Sequence, residues 1–261
     1  MRRQEVLATE EPLEIRFVVD GRPRPFTVTM RTPGADFELV AGLLHGEGLV
    51  AGRRDLRRLS YCTDPEVDEA QQFNIVNVVP APGAEVDLAP VTRNVLTTSA
   101  CGICGAASLE ALALRGLVPL PAGGGPVLTG TVLASLPDRL RRSQPLFDAT
   151  GGLHAAGLFT ADGDEVVVRE DVGRHNAVDK VVGWALLADR LPLRDHVLVV
   201  SGRAGYEIAQ KAVAAGIAVV VAVSAPSSLA VALADRFGLT LAGFVRGDRA
   251  NLYTHPERVQ A

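Results

Sequence analysis

Two thiols three residues apart, in the stretch TTSACGICG at 97–105, are the most reactive side chains in the sequence. Cys101 and Cys104 are two of only three cysteines, and SLEALAL just behind them has helical spacing. Thr98, Ser99 and Cys101 therefore stand where the chain enters a helix and free backbone N–H groups point outward. That position favours thiolate over thiol, and Gly102 and Gly105 leave the sulfur uncrowded. Cys101 is thus the candidate nucleophile. Cys104 is a second thiol that resolves an intermediate, relays it, or only shapes the loop. Two cysteines serving as apolar filler would not need the surrounding hydroxyl and glycine residues.

Metal chemistry fits less well. A structural zinc site takes four ligands, and there is no second C-x-x-C pair. Zinc deaminases combine H-x-E with P-C-x-x-C, and His45, Glu47, Cys101 and Cys104 would fill those roles. Ala100, however, replaces the proline, and the segment between the two motifs holds several strands instead of one short unit. No resident metal is expected.

Two further clusters have the residue types that bind anions. In EDVGRHNAVDK (170–180), Gly173 precedes a helix, so Arg174 and His175 would meet a phosphate at its N-terminus, with Asp171 orienting Arg174. In FVRGDRANLYT (244–254), Arg246 and Arg249 flank Gly247–Asp248 at the end of a strand. Guanidinium–phosphate pairing is geometrically easy there. Ser201, Gly202 and Arg203 follow another apolar strand. An ordinary helix start and an exposed hairpin turn would explain the first two clusters taken singly, and His154 alone reads as a satisfied core histidine.

The elements that must carry these groups are legible in outline. LEIRFVV and FTVTM flank Asp20–Gly21, a hairpin signal, and ADFELVAGLL then has helical spacing. LRRLSYC and FNIVNVV alternate as strands with one wet face. After residue 150 strand-like and helical segments alternate, and VLVV and IAVVVAV are continuously apolar, as strands buried on both faces should be. The expected architecture is α/β: a largely parallel sheet covered by helices, plus a smaller N-terminal β-rich α+β part. In such sheets the binding crevice lies beyond the carboxyl ends of the strands. The expected divisions are 1–92, a β-rich subdomain; 93–126, the cysteine loop and helix between Pro/Gly-rich flanks; and 127–261, the α/β cofactor-binding core.

The bulk numbers narrow the class. With 261 residues and 48% apolar composition the chain can bury a large core. A formal charge of −4 argues against general nucleic-acid binding, and RRDLRR (53–58) and RLRR (139–142) read as solvated faces. Residues 212–225 are apolar but too short to span a bilayer, and Gly216 divides them into a helix end and a strand. Three cysteines cannot build a disulfide framework and suit a reducing compartment, so the expected location is cytoplasmic. Cys62 is expected to be buried filler.

CGICG, DVGRHNAVDK, SGRAGYEIAQKA, VSAPSSLAV and FVRGDRANLYT, in this order and spacing, closely resemble the FdhD family of formate dehydrogenase accessory sulfurtransferases. The resemblance implies a homodimer with a cytidine-deaminase-like core. It implies a carrier that accepts a persulfide from a cysteine desulfurase at Cys101 and passes sulfur to the bis(molybdopterin guanine dinucleotide) molybdenum cofactor of formate dehydrogenase. That cofactor is then a passing acceptor, with GDP as a partial mimic. The family's cofactor-binding segment falls on Phe244, Val245, Arg246, Gly247, Asp248 and Arg249, and Arg174, His175, Ser201, Gly202 and Arg203 are added as further candidates. Gly46 and Ala106 stand where the family more often has a hydroxyl residue and a lysine. A guanine-nucleotide-binding chaperone without sulfur chemistry is the remaining alternative.

Overall fold

A computed structural model describes residues 5–84, 117–121 and 123–260 of the chain. The N-terminal part is a four-stranded sheet with one helix across it. Strands β1 (Glu11–Val19) and β2 (Arg22–Arg31) form the expected hairpin, with Asp20 and Gly21 both at positive φ as its two-residue turn requires. Helix α1 (Asp36–Gly46) follows, then β3 (Leu56–Tyr61), a single turn α2 (Glu69–Gln72) and β4 (Ile75–Pro80). The sheet order is β2-β1-β4-β3. Alternation along β1 turns Leu13, Ile15 and Phe17 inward, where they pack with Leu39, Val40 and Leu44 of α1.

In the larger part, β5 (Leu128–Thr129) leads into α3 (Gly130–Arg142) and the short α4 (Pro145–Thr150). There follow β6 (His154–Phe159), β7 (Glu165–Asp171), α5 (Arg174–Leu187), β8 (Val197–Val200), α6 (Tyr206–Ala214), β9 (Val219–Ala222), α7 (Ser228–Phe237), β10 (Thr240–Arg246), β11 (Arg249–Thr254) and β12 (Val259–Gln260). The sheet order is β11-β10-β9-β8-β6-β7, with helices on both faces, as expected of an α/β core. Parallel pairing is confined to the centre, β8-β9-β10, while β6, β7 and β11 run antiparallel to their neighbours. The reason is loop length. Residues 160–164 and the Gly247–Asp248 turn are too short for a crossover, so each closes a hairpin. β12 pairs with β5 and ties the C-terminal end to the start of α3.

Helices α5, α6 and α7 cover one face of this sheet. On the other, α3 inserts Leu133, Leu136 and Leu140 against Ala155, Val199 and Val221. The two parts meet where α1 crosses α5. A Cβ added to Gly42 would lie 1.8 Å from the Asp179 carbonyl oxygen, and one added to Gly183 would lie 1.7 Å from that of Glu38, so the backbones touch through two glycines.

Candidate functional site

Because β6 runs antiparallel to β8, its first residue, His154, stands beside the carboxyl end of β8, where Ser201, Gly202 and Arg203 follow. Ser201 is tied down twice: its N–H donates to the Ala155 carbonyl at 2.9 Å, and its Oγ accepts from the Ala155 N–H at 2.8 Å. Gly202 permits a close approach, since a Cβ there would lie 3.3 Å from His154 Nδ1 and 3.8 Å from Arg174 Cδ. Arg174 opens α5 after Gly173, which provides no side-chain cap, and its Nε is buried without a hydrogen-bond partner among the described residues. Arg203 and Arg246 are exposed at the ends of their strands.

This concentration of cations acts on the histidines. His154 is held below the usual imidazole range by burial first, then by Arg174 and Arg203. His175 is pushed down to about 4 by burial, with Arg174, Lys211 and His154 adding to the effect, although its Nδ1 lies 3.2 Å from Glu207 Oε2. Both rings are therefore neutral at pH 7, and each offers one donor and one acceptor.

The C-terminal candidates divide by side. At β10 the register shifts between Gly243 and Arg246, and Phe244 takes φ +52, an uncommon conformation for an aromatic residue. The bulge leaves Phe244 49% exposed while Val245 is fully buried against the α3 side of the sheet. Arg246 pairs with Arg249 across the Gly247–Asp248 turn. The Arg249–Asp248 contact, 3.9 Å and fully in solvent, fixes little. Next to this turn a cleft of about 470 Å³ opens between the strand tips and α3–α4. Gln144, Phe147, His154, Ser201, Val245 and Arg246 are among the residues lining it. A second cleft, of about 440 Å³, lies at the opposite ends of the strands, between His45, Glu47, Leu120 and Arg194.

Several expectations change. Asp171 does not orient Arg174. It is fully buried and accepts from the N–H groups of Gly173 (2.8 Å) and Thr32 (3.2 Å) and from Asn176 Nδ2 (3.0 Å) while pairing with Lys180 Nζ at 2.7 Å. It holds the N-terminal part to the core instead. His45 turns Nδ1 towards the Val50 carbonyl (3.0 Å) and Nε2 towards that of Ala214 (3.2 Å), so neither lone pair is aimed at an open coordination position. That removes the histidine from the deaminase reading. Among the described residues no group of His, Cys, Asp and Glu side chains converges as a metal site, and no helix is long and apolar enough to cross a membrane. Cys62 is buried, with the Asp64 N–H 3.5 Å from its Sγ. Cys101 and Cys104 lie outside the described residues, as does most of the 93–126 segment.

Gln144, Phe147 and Asp138 of the first cleft escape a reading for motifs because α3 and α4 do. The signal was present: Thr129 caps α3 by accepting from the Val132 N–H, and Leu133, Leu136 and Leu140 recur at helical spacing.

The sequence has close relatives. The chain is 56% identical to the sulfur carrier protein FdhD of Streptomyces coelicolor, over 98% of this chain and 90% of the relative. It is 53% identical to that of Mycobacterium tuberculosis, over 98% and 92%. A crystal structure of a candidate formate dehydrogenase accessory protein from Desulfotalea psychrophila superposes with a TM-score of 0.72 at 28% identity, covering 98% of this chain and 91% of the other. Residues 8–260 match the profile of the FdhD/NarQ family, and the chain belongs to that family.

Proposed function

We propose that the protein is a cytoplasmic sulfur carrier that acts as a homodimer and serves a formate dehydrogenase. The Cys101 thiolate attacks the terminal sulfur of a persulfide on a cysteine desulfurase. A new S–S bond forms at Cys101, the donor's S–S bond breaks, and the donor cysteine leaves as thiolate with the bonding pair. The bis(molybdopterin guanine dinucleotide) molybdenum cofactor is the acceptor substrate. When its reduced metal centre takes the terminal sulfur, the S–S pair returns to Cys101 as thiolate.

The single observation supporting the acceptor side is the strand-tip cluster: Arg246 and His154 line a cleft, and Arg174 and Arg203 stand close enough to His154 to act on its ring. Three guanidiniums at a sheet crevice suit pyrophosphates, which such a cofactor has and a small thiol acceptor lacks. Full-length relatives named as sulfur carriers support the donor side.

Incubating the protein with a cysteine desulfurase and cysteine and recording intact mass tests the reading. A gain of one sulfur atom is expected on the wild type and none on Cys101→Ala. Equal loading of Cys101→Ala, through Cys62 or Cys104, refutes the assignment.

A further inference from the structure

The four-stranded N-terminal sheet has two edges, and they differ. β2, at one, alternates arginine with proline over Arg22–Pro25, and Pro23 and Pro25 have no N–H to offer a further strand. β3, at the other, has no proline. The Cys62 N–H donates to the Ile75 carbonyl at 3.0 Å, so by the alternation of an antiparallel pair the N–H and C=O groups of Leu59 and Tyr61 point the other way, to the open side of the strand. Among the described residues no strand pairs with them there, and the side chains of Leu59 and Tyr61 are only partly buried against the core.

The charges along this edge are segregated. The run RRDLRR (53–58) leads into the strand, and the run DPEVDE (64–69) follows it. Arg54, Arg57, Arg58, Glu66 and Glu69 are exposed, and none of them pairs with an opposite charge among the described residues. Asp55, the one acid in the basic run, turns back to accept from the N–H groups of Ala51 and Gly52 at 2.6 and 3.0 Å. Like charges on an edge strand repel most other strands. A second copy approaching in parallel would lay arginine on arginine and carboxylate on carboxylate. An antiparallel copy lays each basic run beside the other's acidic run, and a two-fold axis makes that match twice. The bulge at Arg57 leaves a straight ladder of only a few residues, so backbone bonds alone do not select the partner.

We infer that the open edge of β3 is an interaction surface for a second copy of this chain, which pairs with it antiparallel about a two-fold axis, joins the two four-stranded sheets into one, and is selected by the pairing of residues 53–58 with residues 64–69. This rests on the homodimer part of the proposed function and adds to it the surface and the residues that recognise the partner. A surface whose two signs stand on opposite sides of one strand is complementary to itself under two-fold rotation, which is why the occupant is a second copy and not an unrelated acidic or basic protein.

Sedimentation velocity of the full chain and its charge variants is the test. The wild type is expected to sediment as a dimer whose dissociation constant rises as salt goes from about 0.1 to about 1 M. Arg54→Glu with Arg57→Glu, and separately Glu66→Lys with Glu69→Lys, should each raise that constant at least about tenfold, since every reversed charge acts at two places in a two-fold interface. Mixed in equal amounts, the two variants should form a heterodimer, and a chain with all four substitutions should dimerise again. Recovery of this kind would not follow from a merely structural role of these side chains. If one double variant fails to fold, the chain with all four substitutions decides, and its failure to dimerise overturns the inference. Dimers that survive both double substitutions overturn it too and leave the homodimer reading standing on another surface. A wild type that sediments as a monomer sinks both, whereas sulfur loading at Cys101 is read by mass and judges the carrier reading separately.

Discussion

Gly183→Ala should separate the two parts of the molecule. The new methyl carbon would stand 1.7 Å from the Glu38 carbonyl oxygen and 2.7 Å from the Gly42 nitrogen, both backbone atoms of α1. A tolerable C···O contact is about 3.3 Å, so α1 and α5 would have to part by roughly 1.6 Å at their crossing. A gap of even 0.5–1 Å forfeits about a quarter to a half of each dispersion contact along the interface. Overpacking of this kind costs about 1–3 kcal/mol where side chains can give way, and here neither neighbour is a side chain, so at least about 3 kcal/mol is expected. Alanine's better helix propensity returns only about 1 kcal/mol. The net loss of about 2 kcal/mol or more would lower the urea midpoint by roughly 1 M, given slopes of about 1–3 kcal/mol/M. Gly52→Ala is the control: φ there is −166 and nothing lies within 4 Å, so its midpoint should stay within experimental error. A Gly183→Ala protein as stable as the wild type would refute the crossing geometry.

His175 and the Asp179–Lys211 pair make opposite contributions in acid. His175 titrates at about 4 when folded and about 6.5 when unfolded, so as pH falls from 6.5 the unfolded chain binds the proton first and stability is lost, up to about 3 kcal/mol by pH 4. Asp179, raised to about 6 by burial despite Lys211, is protonated first in the folded chain, so its contribution returns over part of the same window. His175→Gln should therefore lose about 1–2 kcal/mol less than the wild type between pH 7 and 5 in urea unfolding, and a curve parallel to the wild type's would refute the assignment. Lys211→Met strands the Asp179 carboxylate, 2.6 Å from the lost ammonium, and should cost about 3–5 kcal/mol at pH 8. That cost should shrink below pH 6, and a pH-independent cost would show that the charge is not the cause.

The N-terminal hairpin was legible because Asp20–Gly21 is a local signal, and the central strands because VLVV and IAVVVAV have no polar position to face water. What failed was long-range. Asp171 and Lys180 are typical ligand-binding residues beside a glycine, and nothing local reveals that Thr32, 148 positions before Lys180, accepts the lysine's hydrogen bond through its carbonyl. The antiparallel direction of the sheet edges is not legible in the apolar runs, which report burial, whereas strand direction depends on turns of a few residues. α3 was hidden by Pro137 and by RLRR, whose arginines suggest a solvated face; its three leucines point the other way. The places of Ser201, Gly202, Arg203 and Arg246 at strand ends were legible because each follows an apolar run. His154 was not, because its importance comes from Gly202 admitting it to within reach of Arg174.

Helix α5 links these observations. Its first residues, Arg174 and His175, stand near His154, which lines the cleft, and its middle is held by elements far from it: Lys180 donates to the Thr32 carbonyl, Asn176 to that of Met30, and Gly183 rests on α1. The guanidinium at its tip therefore has a position set by the register of α5 against the N-terminal sheet as much as by β8. A helix gripped at both backbone and side chain moves as a rigid body, so a shift of α1 would be carried to Arg174 nearly undiminished. The N-terminal part, which among the described residues contributes none to the lining of the first cleft, is in this sense a positioning device for the cation that stands deepest at the strand tips.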